Sequence, residues 1–217
     1  ESDVDVVLHL GDYLYEYPAG EYVNPVAEET LGRKVEPEYE ILVLEDYRMR
    51  HGLYRTDPDL QAAHAAHPWI TVWDDHEMMN NTWRAGAENH NEGEGDFFER
   101  IHAARQAYHE WMPIRTGAEG DQGVIYRAFR IGDLADLMML DTRLVGRDEQ
   151  LDYAKGIEQA GSVEAFIKND LYNPERQILG EEQEAWLQQA LQRSKARGAT
   201  WQVLGQQVLM GKLNIPV

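Results

Sequence analysis

The run Asp5-Val6-Val7-Leu8-His9-Leu10 is apolar and β-branched, and it stops at Gly11-Asp12. This pattern predicts a buried strand over 4–10 that delivers a carboxylate to the carboxyl edge of a sheet, where open α/β sheets bind ligands. A second such run, Trp69-Ile70-Thr71-Val72-Trp73, also ends in acids, at Asp74-Asp75-His76-Glu77. Two strands that both finish in carboxylates are a rarer coincidence than one. Between them, mixed helical spacing of Ile41, Leu44, Glu45, Arg48 and Tyr54 predicts a helix over 38–55 that Gly52 weakens at its end. Asp57 as N-cap and Pro58 at the first helical position open a further helix that runs to about Ala66, and His67-Pro68 stops it.

Downstream, residues 97–112 predict a helix closed by Pro113. Residues 124–131 and 134–140 read as a hairpin around Gly132-Asp133, and the second strand again ends in charge, at Asp141-Thr142-Arg143. The clearest helix is 181–197. Acids fill its first turn and bases its last, Gly198 suits the position after its end, and Leu187, Ala190, Leu191 and Ser194 share one face. Residues 200–204 predict a last strand before Gly205-Gln206-Gln207. The segments 17–37 and 82–96 read as loops, and 147–180 as irregular and polar with short helical pieces. No internal repeat or domain boundary is visible. The expectation is a single α/β domain over 1–217, or a large piece of a bigger one.

Composition narrows the classes. At 43% hydrophobic, the chain builds a packed core rather than a disordered ensemble. No apolar run reaches the ~18 residues that span a bilayer. Cysteine is absent, which removes disulfides, thiolate metal sites and cysteine nucleophiles. A formal net charge of −19 argues against surface binding of nucleic acid and of anionic membranes, and it suits cations as well as simple solubility. The opening Glu-Ser-Asp carries no leader and no initiator Met, as expected of a chain that is processed, cut or numbered from inside a longer protein. All eight histidines lie between His9 and His109, which places the polar chemistry in the first half.

The strand ends carry the candidate chemistry. Asp12 and Tyr15 are either two hard oxygen ligands or, respectively, a helix cap and a packed ring; Tyr13 and Tyr15 alternate and should face opposite ways. A phenolate ligand calls for a strongly Lewis-acidic ion such as Fe(III), because a tyrosine otherwise holds its proton to about pH 10. Asp75 can bind a metal, and His76 can donate a proton to a leaving group. Asn80 and Asn81 offer amide groups to a substrate. An acid-rich helix start explains Asp74 and Glu77 equally. Arg143 can meet a phosphate with its planar fork, or pair with Asp141 or another acid.

Taken together, these segments resemble a family. Gly11-Asp12-Tyr13-Leu14-Tyr15-Glu16, Trp73-Asp74-Asp75-His76-Glu77 with Asn80-Asn81, the stretch from Ala104 to Arg115, Leu140-Asp141-Thr142-Arg143, and Trp201 to Gln207 are similar in kind and order to the PhoD-like alkaline phosphatases. Those are calcineurin-like metallophosphoesterases related to purple acid phosphatases. The resemblance implies a two-sheet αββα sandwich, incomplete in this chain, and hydrolysis of phosphate mono- or diesters by metal-bound hydroxide. It implies Fe3+ and Ca2+, with other divalent metals possible, and a periplasmic or extracellular setting. It makes Asp12 the bridging carboxylate, Tyr15 the iron phenolate, Asp75 a further metal ligand and His76 the group facing the leaving group. The family pattern also has metal ligands upstream of the Gly-Asp motif and a later Asp- and His-bearing motif, so the chain resembles the central part of the domain. The alternative is a truncated, non-catalytic, cation-binding domain.

Overall fold

The computed structural model describes residues 3–22, 24–115 and 123–210. Two small sheets and a set of helices form the mixed α/β class expected from the pattern. Strands β1 (Val7–His9) and β2 (Trp69–Thr71) pair in parallel, with Val7 opposite Trp69 and His9 opposite Thr71. Both are shorter than their apolar runs. β1 is also not the fully buried strand expected, since Leu8 and Leu10 are 44% and 42% exposed. Its alternating pattern puts one row of side chains outside, as the two-residue period of a strand allows.

The second sheet contains β3 (Arg127–Ile131), β4 (Ala135–Met139) and β5 (Trp201–Gly205). β3 and β4 are the expected antiparallel hairpin, closed where the Leu134 amide donates to the Ile131 carbonyl at 3.2 Å, with Gly132 at φ 53°. β5 lies parallel to β4 on its other side, one residue later than expected. Side chains alternate across β4. Leu137 and Met139 enter the main core, whereas Met138 packs with Leu140 and Ala190 of the last helix. Fully burying a side chain of this size stabilises by about 1.5–3 kcal/mol.

Helix α1 (Pro25–Leu31) lies inside the segment expected to be a loop. Asn24 caps it through the amides of Val26 and Ala27, and Gly32 ends it in the left-handed region at φ 64°. None of its residues is buried, so hydrophobic spacing could not reveal it. α2 (Leu44–Tyr54) begins six residues later than the expected 38, because the Asp46 carboxylate accepts the amides of Leu42 and Val43 and fixes the start there. α3 (Pro58–Ala66) and α4 (Phe97–Trp111) begin at the carboxylate caps Asp57 and Asp96.

Short helices α5 (Tyr153–Ala160) and α6 (Val163–Phe166), the latter running into a π-helical turn at Ile167–Leu171, occupy the polar stretch. α7 (Glu181–Arg197) has the predicted bounds, with Gly198 at φ 83°. The main core joins Tyr47 of α2, Ile101 and Tyr108 of α4, and Val72, Trp73, Met78 and Met79 after β2. That core sits directly beneath the two strand ends. Among the described residues no helix is long and apolar enough to cross a membrane.

Candidate metal centre at two strand ends

Parallel pairing brings the carboxyl ends of β1 and β2 side by side. After β1 the backbone turns through Gly11 at φ 113° and Asp12 at φ 58°. A Cβ on Gly11 would lie 2.3 Å from both the amide nitrogen and the Cβ of Asp74. Glycine is required here by conformation and by close approach. Asp12 begins no helix, so the capping alternative does not hold.

The two ends are fastened by Glu77, for which the sequence left a surface helix start open as an alternative. Glu77 is 1% exposed. Its Oε2 accepts the amides of Asp12 at 3.0 Å and Asp74 at 2.7 Å, and its Oε1 accepts the amide of Tyr13. Burial pushes its carboxyl up to about 8 despite those three hydrogen bonds, and the Asp12 charge adds to the rise.

Held this way, Asp12, Asp75 and His76 each offer one ligand atom, and these atoms lie within 4.8 Å of one another. Asp12 Oδ1 is buried and has no hydrogen-bond partner. Its other oxygen accepts the Tyr15 hydroxyl at 3.2 Å. Burial raises the Asp12 carboxyl and Asp75 raises it further, against the opposing pull of His76, Tyr15 and Arg143. Burial and Asp12 likewise push the Tyr15 hydroxyl well above its ordinary value. Tyr13 diverges from Tyr15, as expected: its hydroxyl meets His64 Nε2 at 3.0 Å.

His76 is oriented by a second buried acid that sequence reading missed. Glu16, with no exposed surface, takes His76 Nδ1 at 2.7 Å, the Asn80 amide at 2.6 Å and Asn89 Nδ2 at 2.8 Å. Nδ1 is thereby committed, which leaves Nε2 for chemistry. Burial lowers the His76 proton affinity, but the Glu16 hydrogen bond and the charges of Glu16, Asp75 and Asp12 outweigh it, and the net direction is upward. The only sequence mark of these two acids is that each directly follows a site residue, Glu16 after Tyr15 and Glu77 after His76. Arg50 anchors the same turn from below through the carbonyls of Tyr15, Tyr17, Glu36 and Pro37.

Arg143 arrives from the end of β4 and is only 7% exposed. Its Nε donates to Asp74 at 2.5 Å, and its NH2 stands 3.2 Å from Asp75. Among the acids open to it in the sequence, Arg143 pairs with Asp74 and Asp75. Asp141 instead accepts the Arg143 backbone amide at 2.8 Å and the Trp73 indole at 3.1 Å. One guanidinium nitrogen, NH1, is buried without a partner. Asn81 supports the site through its backbone, donating its amide to Asp75 Oδ2 at 2.6 Å, while its side chain is taken by Glu88. Asn80 contributes its amide to Glu16.

The oxygen-rich donor set suits a hard cation, and the orphaned Asp12 oxygen is the atom such an ion would satisfy. Asp12 and Asp75, with the Tyr15 hydroxyl beside Asp12, could supply only part of the six or more ligands that a hard cation such as Ca2+ takes.

Residues 1–216 match the sequence profile of the family described as PhoD-like phosphatase. The chain belongs to that family. It is 41% identical over 216 residues to the alkaline phosphatase D of Bacillus subtilis (strain 168), covering 99% of this chain and 34% of that protein. A solved structure described as that of PhoD superposes with a TM-score of 0.79 at 38% identity, covering 99% of this chain and 38% of that one. The chain thus spans about a third of the length of the curated relative it matches. PhoD-like membership confirms the metallophosphoesterase-like, two-sheet α/β class, and places the chain in a family of phosphoesterases.

Proposed function

We propose that these residues form one side of a metal-dependent active site that hydrolyses phosphate monoesters or diesters, completed by ligands elsewhere in the full-length protein. The observation that carries this reading is the convergence of Asp12, Asp75 and His76, with a buried Asp12 oxygen left unsatisfied. Asp12, Asp75 and Tyr15 would hold the metal, Fe3+ and Ca2+ by family resemblance or another divalent ion. When bound, the metal supplies Lewis acidity toward a phosphoryl oxygen and a lowered pKa for bound water.

The remaining chemistry falls to side chains of this chain. His76, fixed by Glu16 at Nδ1, keeps a proton at Nε2 for the leaving-group oxygen. Arg143 holds Asp74 and Asp75 in place, and its NH1, which has no hydrogen-bond partner, is the nitrogen left for the phosphoryl charge. Asn80 and Asn81 are the amides proposed to meet the substrate, although the Asn81 side chain is engaged by Glu88. Periplasmic or extracellular placement follows from the family resemblance, and the charge of −19 speaks against nucleic-acid surfaces as partners.

The test is turnover of p-nitrophenyl phosphate and its bis ester by the full-length protein at alkaline pH, with Ca2+ and Fe3+ added. Asp12→Asn and Asp75→Asn should each lower kcat/KM by 100-fold or more. Absence of any turnover in the metal-loaded full-length protein overturns the reading. A second reading, a cation-binding domain without catalysis, applies to the isolated 217 residues, which carry only part of a ligand shell. Cation binding without turnover by that fragment is its expected result.

A further inference from the structure

His76 belongs to a compact cluster of four rings. Tyr15 stacks on it with centroids 4.1 Å apart, Tyr17 tilts against it at 5.5 Å, and Tyr22 lies 6.1 Å away. Tyr22 in turn stacks on Tyr15 at 5.2 Å and on Tyr17 at 5.5 Å, with ring planes within about 20° of parallel. His76 is 7% exposed, whereas Tyr22 is 77% exposed. The cluster therefore runs from the buried imidazole out to an open aromatic face.

Tyr22 holds that position against its own backbone preference. Its φ is 52°, in the left-handed region that a residue with a bulky side chain seldom adopts. Packing alone gives little return for this, because most of the ring remains in water. Strained backbone maintained beside a reactive group is a feature of ligand-binding sites. A planar ring seated on Tyr22 would gain offset stacking and shed water from both faces. Tyr22 and His76 centroids are 6.1 Å apart, so a ring seated on Tyr22 lies in the neighbourhood of the imidazole.

We propose that Tyr22, backed by Tyr17, forms an aromatic wall beside His76 that binds the ring of an aryl phosphate, the leaving group of the reaction proposed above. This rests on the phosphoesterase reading, so the experiment separates the two. Aryl oxyanions leave more readily than alkyl ones for reasons unrelated to the protein, and a binding measurement avoids that confusion. Phenylphosphonate and ethylphosphonate have C–P bonds in place of the ester. Their dissociation constants are measured by calorimetry on the metal-loaded full-length protein.

Phenylphosphonate should bind about tenfold more tightly, equivalent to about 1.4 kcal/mol. Tyr22→Ala should erase the preference, and Tyr22→Phe should keep it. Equal affinities in the unmodified protein, or a preference that survives Tyr22→Ala, overturns the wall. Turnover of phenyl phosphate and glycerol phosphate is followed in parallel. If both esters are hydrolysed and Tyr22→Ala changes neither the rates nor the phosphonate ratio, the wall falls and the phosphoesterase reading stands. If neither of these esters nor the bis(p-nitrophenyl) diester is hydrolysed while the Tyr22-dependent preference is present, the phosphoesterase reading falls and the wall stands.

Discussion

Glu77 reaches across the two strand ends to Asp12, its Oε2 accepting the Asp12 amide at 3.0 Å. The same carboxylate holds Tyr13 and Asp74 by their amides. One buried side chain thus sets the distance between the loop that carries Asp12 and the loop that carries Asp75. Glu77→Ala leaves three N–H groups without their acceptor, each costing about 1–3 kcal/mol if it stays buried. The expected loss of stability is at least ~3 kcal/mol, seen as a lower denaturant midpoint, with cation affinity falling in step. Glu77→Gln keeps one carbonyl acceptor and should lose about half as much. A change below ~0.5 kcal/mol for Glu77→Ala would show that the clamp is not needed.

Gly11 is the second constraint on the same junction. A methyl group there would meet the Asp74 backbone at 2.3 Å, and at φ 113° it would also be strained. Because the obstacle is backbone, Gly11→Ala has to separate the strand ends. The expected cost is at least about 2 kcal/mol, with weaker binding of Ca2+ measured by titration. Gly20, also at positive φ but with nothing near its missing Cβ, is the control; Gly20→Ala should cost about 1 kcal/mol and leave Ca2+ binding alone.

The Tyr15 hydroxyl lies 3.2 Å from Asp12 Oδ2. If it binds Fe3+ in the full-length protein, the phenolate gives a charge-transfer band in the visible spectrum. Tyr15→Phe should abolish that band, and Asp12→Asn should weaken or shift it. Colour that persists in Tyr15→Phe would assign the ligand elsewhere.

His51 supplies a dependence on acidity unrelated to the site's own ligands. It is fully buried, both ring nitrogens lack hydrogen-bond partners, and its neighbours are the rings of Tyr13, Tyr108 and Trp111. Burial, then the Arg55 charge, holds its pKa down to about 3, with Glu110 opposing weakly. The unfolded chain therefore takes up the proton first. This contribution to stability is intact above pH ~6.5 and is lost as pH falls from there toward about 3, by up to about 1.4 kcal/mol per unit. His51→Phe removes that loss. The stability of the variant relative to the unmodified protein should rise by about 2 kcal/mol between pH 8 and pH 5, measured by denaturation at both values. A constant difference across that range would contradict the assignment.

Patterns with a local cause were legible in the chain. The apolar runs ending at Asp12 and Asp75 marked two strand ends; the caps Asp57 and Gly198 marked helix limits; Gly132-Asp133 marked the hairpin. In each, the residues that carry the information lie within a few positions of the element they define. Motif order was enough to place the chain among PhoD-like phosphatases. Tertiary structure alone decided which acids become buried fasteners and which face the site. Glu16 and Glu77 are ordinary acids in the sequence, and their roles depend on partners 60 or more residues away, at His76 and Asp12. The same holds for Arg143, whose acid partners became visible only when β4 delivered it beside Asp74 and Asp75. A local sequence pattern reports how a segment lies, but the energy of a buried charge is set by the groups folding brings against it.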